Sequence, residues 1–218
     1  MRSFRSLVVL GAVGLLSAVA AYLAVSYVRG LRQENAVAAY ADEIFRSPTS
    51  FVAGNPRGDV SVVAFLDYNC PYCREDAADL KKLLSEDGKV RLVIKELPVL
   101  GPDSEVVARI AQASIAQGKY LQLHDRLFSE RGRATKAKAL GIAAELGLDT
   151  AKLEADMRGP AVEAAIAANK LLADRLEVEG VPFYLVGDRP LPGSDDDLYT
   201  ELSVGVADVR QHGCLAQC

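Results

Sequence analysis

The chain has 218 residues, half of them apolar and a quarter charged, with 17 Gly and 9 Pro. Such a composition can bury a core and is not that of a disordered polypeptide. Its 25 basic and 29 acidic side chains leave a formal charge of −4, without the clustered Lys and Arg that nucleic-acid binding requires. Two His and no Trp leave little material for a His-based metal centre, and four Cys are too few to staple a mini-domain.

From Leu7 to Val28 the chain carries no charge. As a helix this stretch reaches about 33 Å, enough to cross a hydrocarbon core of about 30 Å. Arg2 and Arg5 precede it, and Arg29 and Arg32 follow. One reading of residues 1–28 is a cleaved signal peptide, with Ala18-Val19-Ala20 as its small-x-small site. A retained signal-anchor fits the length and the basic residues beyond it better. Both readings hold the N-terminus in the cytoplasm and send everything after about residue 30 across the membrane. The rest is then an extracytoplasmic domain, periplasmic or its equivalent, in a compartment where disulfides persist.

Residues 29–50 read as a helical tether, amphipathic from residue 31 and ending before Pro48. The turn-forming run Gly54-Asn55-Pro56-Arg57-Gly58-Asp59 marks the entrance to the domain proper, residues 51–213. Val60–Leu66 is a short, apolar, β-branched run that predicts a strand buried on both faces. After Asp67-Tyr68-Asn69 a helix begins, with Cys73, Ala77, Leu80 and Leu84 on one stripe. Gly88 stops it, and Val90–Lys95 supplies a second strand. Strand, helix and strand over so short a span predict a right-handed βαβ unit with parallel strands.

Residues of about 103–178 are Ala-rich and helix-periodic, with breaks at Gly118, Gly132, Gly147 and Gly159-Pro160. They predict a helical subdomain inserted into a sheet-based fold. Its last helix is the clearest, with Val162, Ala165, Ile166, Asn169, Leu172, Ala173 and Leu176 on one face and Pro160 near its first position. Strand character returns at Phe183–Val186. Gly187-Asp188 then turns into a short strand near Arg189–Leu191. Ser194-Asp195-Asp196-Asp197 offers a cap for a final helix whose buried stripe is Leu198, Leu202, Val206 and Val209. The tail, 214–218, holds Cys214 and Cys218. The expected fold class is therefore α/β, ordered βαβ, helical insertion, ββα.

Chemistry concentrates at Cys70-Pro71-Tyr72-Cys73, where a buried strand passes into a helix. The first turn of a helix has unpaired N–H groups and a partial positive charge, so a sulfur there is held as thiolate. Cys70 is expected at the cap and exposed, with Pro71 costing no hydrogen bond, and Cys73 one turn in and buried. Only a thiolate attacks a disulfide, and a stabilised thiolate is a good leaving group, so the pair can cycle between dithiol and disulfide. A zinc knuckle completed by Cys214 and Cys218 uses the same spacing, but the strand–helix context favours the redox reading. Gly180-Val181-Pro182, just before a strand, is in the plainest reading only a strand start. Asp67 and Glu96, at the ends of the two parallel strands, are either proton relays for Cys73 or ordinary solvated charges. His124 is expected on a helix surface or groove and is no lone metal ligand.

Asp67-Tyr68-Asn69-Cys70-Pro71-Tyr72-Cys73, Lys95-Glu96-Leu97-Pro98, the helical insertion and Gly180-Val181-Pro182 together resemble the DsbA family of exported thiol–disulfide oxidoreductases. The resemblance spans about residues 50–210 and implies a thioredoxin-like fold interrupted by helices. It implies that Cys70 is the nucleophile, Cys73 its partner and Pro182 a cis-proline facing them. Val181 and Pro182 are then expected to receive an extended substrate by strand addition, flanked by Pro71 and Tyr72. The implied activity is disulfide formation in unfolded or partly folded proteins, without a dissociable cofactor, and the implied redox partner is a membrane quinone-linked thiol oxidase. Val181 resembles the oxidase branch, whereas the Pro-Tyr dipeptide is shared with isomerase-like members. A disulfide isomerase or reductase, with the 31–50 helix as an oligomerisation arm, is thus the alternative. A zinc- or copper-binding module built on the cysteines and a redox-inert membrane adaptor are rivals from other classes.

Overall fold

The computed structural model describes residues 2–192 and 197–214, and for residues 2–13, 34 and 192 the backbone alone. The chain opens with helix α1 (Arg2–Ala39), followed after a break at Tyr40 by the short α2 (Ala41–Phe45). Leu15, Leu16, Tyr22, Leu23, Val25 and Tyr27 of α1 are each at least 60% exposed. From Gly14 onward this helix is long and apolar enough to cross a membrane, and none of its most apolar window is buried in the protein. An exposed apolar helix of this kind is not a core helix of the domain.

The sequence places a separate, free tether after residue 28. Instead α1 runs unbroken through that point, and the segment packs onto the domain. Val37, Ala41, Ile44 and Phe45 are buried against Val63, Phe65, Val93, Leu172 and Leu185. Arg91 Nη2 donates to the Phe45 carbonyl at 2.7 Å, and Lys95 Nζ to that of Glu43 at 2.5 Å. The apolar residues read as one face of a tether are a face of the core.

Five strands form one sheet in the order β1-β3-β2-β4-β5. They are β1 (Phe51–Gly54), β2 (Val60–Leu66), β3 (Val90–Glu96), β4 (Phe183–Val186) and β5 (Arg189–Pro192). β2 and β3 are parallel, as expected of the βαβ unit, and all other pairs are antiparallel. β1 is an edge strand beside β3 that the turn-rich sequence around it hides. Along β2 and β3 alternate residues enter two separate cores. Val62, Ala64, Leu66, Leu92 and Ile94 pack on one face, and Val63, Phe65 and Val93 on the other.

Helix α3 (Pro71–Glu86) joins the parallel strands. The insertion comprises α4 (Pro102–Ser114), α5 (Tyr120–Ser129), α6 (Lys136–Glu145), α7 (Thr150–Asp156) and α8 (Pro160–Arg175). Gly118 and Gly147 take φ of 68° and 76° at its joints, a conformation that favours glycine. Helix α9 (Leu198–His212) lays Leu198, Leu202, Val206 and Val209 on the sheet and is capped by Asp197, whose side chain accepts from the Thr200 amide. Ser194, Asp195 and Asp196 lie outside the described residues. The α/β thioredoxin-like architecture with a helical insertion is the one read from the sequence.

Candidate active site

β2 ends at Leu66, and a turn closed by the Cys70 amide on the Asp67 carbonyl (3.0 Å) delivers Cys70 to the head of α3. Cys70 is the N-cap, with φ −78° and ψ 121°, and Pro71 begins the helix. The Cys73 amide donates to Cys70 Sγ at 3.4 Å. As a thiol, Cys70 donates in turn to the Val181 carbonyl at 3.3 Å, and the Val181–Pro182 peptide is cis. The loop before β4 therefore lies across the sulfur. For that reason Cys70 is not exposed as expected but only 3% accessible, while Tyr72 beside it is 55% exposed.

The two sulfurs are electrostatically unlike. A hydrogen bond from the Cys73 thiol, aided by the Cys73 and Tyr72 amides and opposed by burial, lowers the Cys70 pKa from 9.0 to about 7. Burial, then the bond to Cys70, pushes the Cys73 thiol far above its ordinary range, with the Asp67 backbone amide working the other way. One sulfur is thus poised to ionise near neutrality, and its neighbour holds its proton.

Neither Asp67 nor Glu96 is solvated: each is 2% exposed. Asp67 Oδ1 accepts from the Asn69 amide (2.7 Å), and Oδ2 from the Val99 and Leu100 amides (2.9 and 3.0 Å). This carboxylate staples the end of β2 to the loop after β3. Glu96 Oε1 accepts from Tyr68 (2.7 Å) and Tyr120 (2.5 Å), and burial raises its pKa to about 8. Among the described residues neither carboxylate hydrogen-bonds to a cysteine sulfur. His124 is buried, not on the surface: Nδ1 lies 2.8 Å from the Tyr68 hydroxyl, and its ring stacks on Tyr120. Burial lowers its pKa to about 4, so it is neutral at neutral pH. It also lines a cavity of about 310 Å³ between α3 and α5.

Three contributors escaped sequence reasoning. Asp76, one turn beyond Cys73, accepts from the Tyr184 hydroxyl of β4 at 2.7 Å, and burial raises its pKa. Arg74 donates to the carbonyls of Tyr68, Phe128, Glu130 and Gly132, and Asn69 bonds Ser104 and both backbone groups of Ala134. The turn residues before α3 and the helix itself are thereby tied to the insertion. Only the i, i+3 spacing of Cys73 and Asp76 was available in the sequence, and it points to no partner. Beside the cysteine pair a cavity of about 490 Å³ is lined by Arg29, Gln33, Tyr72, Glu179, Val181 and Pro182.

A family profile described as a DSBA-like thioredoxin domain matches residues 61–198. The chain belongs to that family. A thioredoxin-like oxidoreductase from Silicibacter pomeroyi DSS-3 is 43% identical, with 78% of this chain and 97% of that one covered and a TM-score of 0.75. The thiol-disulfide exchange protein alpha-DsbA2 from Wolbachia pipientis is 29% identical, covering 84% of this chain and 97% of that one, with a TM-score of 0.74. A Na(+)/H(+) antiporter NhaA 1 of Salinispora arenicola is 33% identical over 148 residues, which are 66% of this chain but 22% of the antiporter. The chain thus spans about a fifth of the length of the antiporter relatives it matches.

In this DSBA-like chain Cys214 stands apart from the site. Cys214 is disulfide-bonded, whereas Cys70 and Cys73 are free thiols. Its Sγ lies 2.8 Å from where a Cβ on Gly187 would stand. Gly187 follows the last residue of β4, while Val181 precedes the first, so Cys214 and Cys70 are at opposite ends of that strand. This separation removes Cys214 from the four-cysteine knuckle considered for the sequence. Cys218 lies outside the described residues.

Proposed function

We propose that the chain is a membrane-anchored, extracytoplasmic thiol–disulfide oxidase that transfers the Cys70–Cys73 disulfide to cysteine pairs in unfolded or partly folded proteins. The observation that carries this is the asymmetry of the two sulfurs. A Cys70 thiolate stabilised at the head of α3 favours the reduced enzyme and makes the oxidised form a disulfide donor. In this reading a substrate thiolate attacks Cys70, Cys73 leaves, and the second substrate thiol then displaces Cys70. Pro71 and Tyr72 shape the rim, and Val181 with Pro182 receives the substrate backbone as an added strand.

Between the relay and solvated-charge readings of Asp67 and Glu96, this proposal gives both a supporting part, because three amides occupy the one and two phenols the other. The redox group is the cysteine pair, with no dissociable cofactor. Reoxidation falls to a membrane quinone-linked thiol oxidase, as the family resemblance implies. Retention of residues 1–28 as an anchor is supported by the continuity of α1 into the packed residues around Val37. Antiporter relatives that carry a similar stretch also support a domain working beside a membrane.

One observation favours the isomerase or reductase reading. A Cys70 pKa of about 7 matches the thioredoxin value of about 7 better than the DsbA value of about 3.5. Equilibrating the couple with glutathione separates them. A potential near about −120 mV supports a disulfide donor, one near about −180 mV overturns it in favour of an isomerase, and one near about −270 mV overturns it in favour of a reductase.

A further inference from the structure

The uncharged stretch of α1 ends where the cavity beside the cysteines begins. Arg29, the first residue after it, pairs with Glu179 at 2.9 Å. Gln33, one turn on, donates to the Leu176 carbonyl at 2.9 Å, and Val37, one turn further, is fully buried. Residues spaced by four lie on one face of a helix, so three successive turns fasten α1 to the domain with no linker between them. Arg29 and Gln33 also form one wall of the cavity of about 490 Å³ whose other wall holds Tyr72, Val181 and Pro182. Cys70 Sγ is 3.3 Å from the Val181 carbonyl. A second cavity places Glu177 against Val25 and Val28, so the loop leading to Pro182 reaches down to the last turn of the apolar stretch.

These contacts set the height of the thiols. Residues 29–33 rise about 6 Å along the helix, and the headgroup layer adds roughly 5–7 Å to each side of the hydrocarbon. With the anchor in a bilayer, the wall that Arg29 and Gln33 give the cavity beside the cysteine pair lies within the headgroup layer and reaches about to its outer edge. Resting on the anchored-oxidase reading above, we propose that its preferred substrates are cysteine pairs in integral membrane proteins, in segments within about 10 Å of the bilayer surface. The groove suits such segments: exposed Tyr72 with Val181 and Pro182 offers an apolar floor, and the Arg29–Glu179 pair flanks it on the membrane side. Confinement to one surface raises the effective concentration of enzyme and substrate without any new contact.

The transfer balances within the proposal. A substrate thiolate attacks Cys70 Sγ of the oxidised enzyme, the Cys70–Cys73 bond breaks, and Cys73 takes up a proton. The second substrate sulfur, having given its proton to solvent, attacks the first, closes the substrate disulfide and expels Cys70 as thiolate. Two electrons pass from substrate to enzyme.

The test reconstitutes the full chain in phosphatidylcholine vesicles with two single-span peptides. One bears its cysteine pair just outside the bilayer, the other at the end of a rigid helical spacer about 27 Å further out. A variant with 18 helical residues inserted between Val28 and Arg29 lifts the domain by about 27 Å through five full turns, which leaves Arg29, Gln33 and Val37 facing as before. The wild type is expected to oxidise the near pair about tenfold faster or more, the insertion variant to reverse that preference, and both to act alike on a soluble peptide. Equal rates on near and far pairs by vesicle-bound wild type overturn this inference and leave the oxidase reading standing. Release of the enzyme by alkaline carbonate overturns the anchor reading and this inference with it. Failure to oxidise any of the three substrates overturns the oxidase reading, and the inference again falls with it.

Discussion

Replacing Cys70 with Ser removes one titration from the reduced protein, and the structure says how large its loss is. The Cys70 pKa falls from 9.0 in an ordinary thiol to about 7 in the folded site. A folded-state pKa that is depressed stabilises the fold only where the group is ionised. The contribution is complete above 9 and is lost as the pH falls through 7. Its ceiling is about 2.7 kcal/mol, at 1.36 kcal/mol for each factor of ten. At pH 6 it is close to zero, and at pH 8 it is about 1.4 kcal/mol, because the folded thiol is then mostly ionised and the unfolded one mostly not. Urea unfolding of the reduced full chain in detergent, at pH 6 and pH 8, measures this. The stability difference between wild type and Cys70→Ser should widen by about 1.4 kcal/mol across that interval. Cys73 and Glu96 titrate in both proteins and largely cancel. The same interaction favours dithiol over disulfide by an equal amount, about 30 mV at pH 8. Wild type and variant changing in parallel between pH 6 and pH 8 would refute the argument that the head of α3 holds an anionic sulfur.

Two further outcomes follow from buried groups. Glu96, raised by burial from 4.5 to about 8, stays protonated in the fold after the unfolded chain has ionised, so stability falls as pH rises from about 4.5 to 8. Glu96→Gln should flatten that slope, and thermal unfolding at stepped pH that leaves it as steep as in wild type would count against the assignment. Tyr184→Phe deletes the hydroxyl that donates to Asp76 and leaves a buried carboxyl short of a partner, at a cost of about 1–3 kcal/mol. The urea midpoint of the oxidised protein reports it, and no change would mean that water replaces the bond.

What could be read without coordinates was local or periodic. The stripes Val162–Leu176 and Leu198–Val209 identify their buried faces because helical periodicity survives whatever they pack against. Val60–Leu66 reads as a doubly buried strand because its own residues are apolar on both faces. β1 was hidden because four residues beside a Gly-Asn-Pro turn carry no pattern, and only β3 makes them a strand. The segment around Val37 looked like a tether because amphipathicity does not say whether the apolar face meets another molecule or the domain itself. At the site, the order Cys70-Pro71-Tyr72-Cys73 reveals the cap and the buried thiol. The cover that Val181 lays over Cys70 comes from 111 residues away and leaves no local mark. Asp67, Glu96 and His124 were visible as polar residues, but their burial depends on backbone amides and phenols brought in from other elements.

Arg74 has a consequence of a different kind. Its guanidinium, on the first turn of α3, reaches four carbonyls, three of them in the stretch Phe128–Gly132 that closes α5 and follows it. The redox helix is thereby tied to that corner of the insertion at three backbone points. Transplanting a foreign insertion onto this sheet would have to reproduce those three carbonyl positions, or the graft would swing free of the cysteines it is meant to shelter.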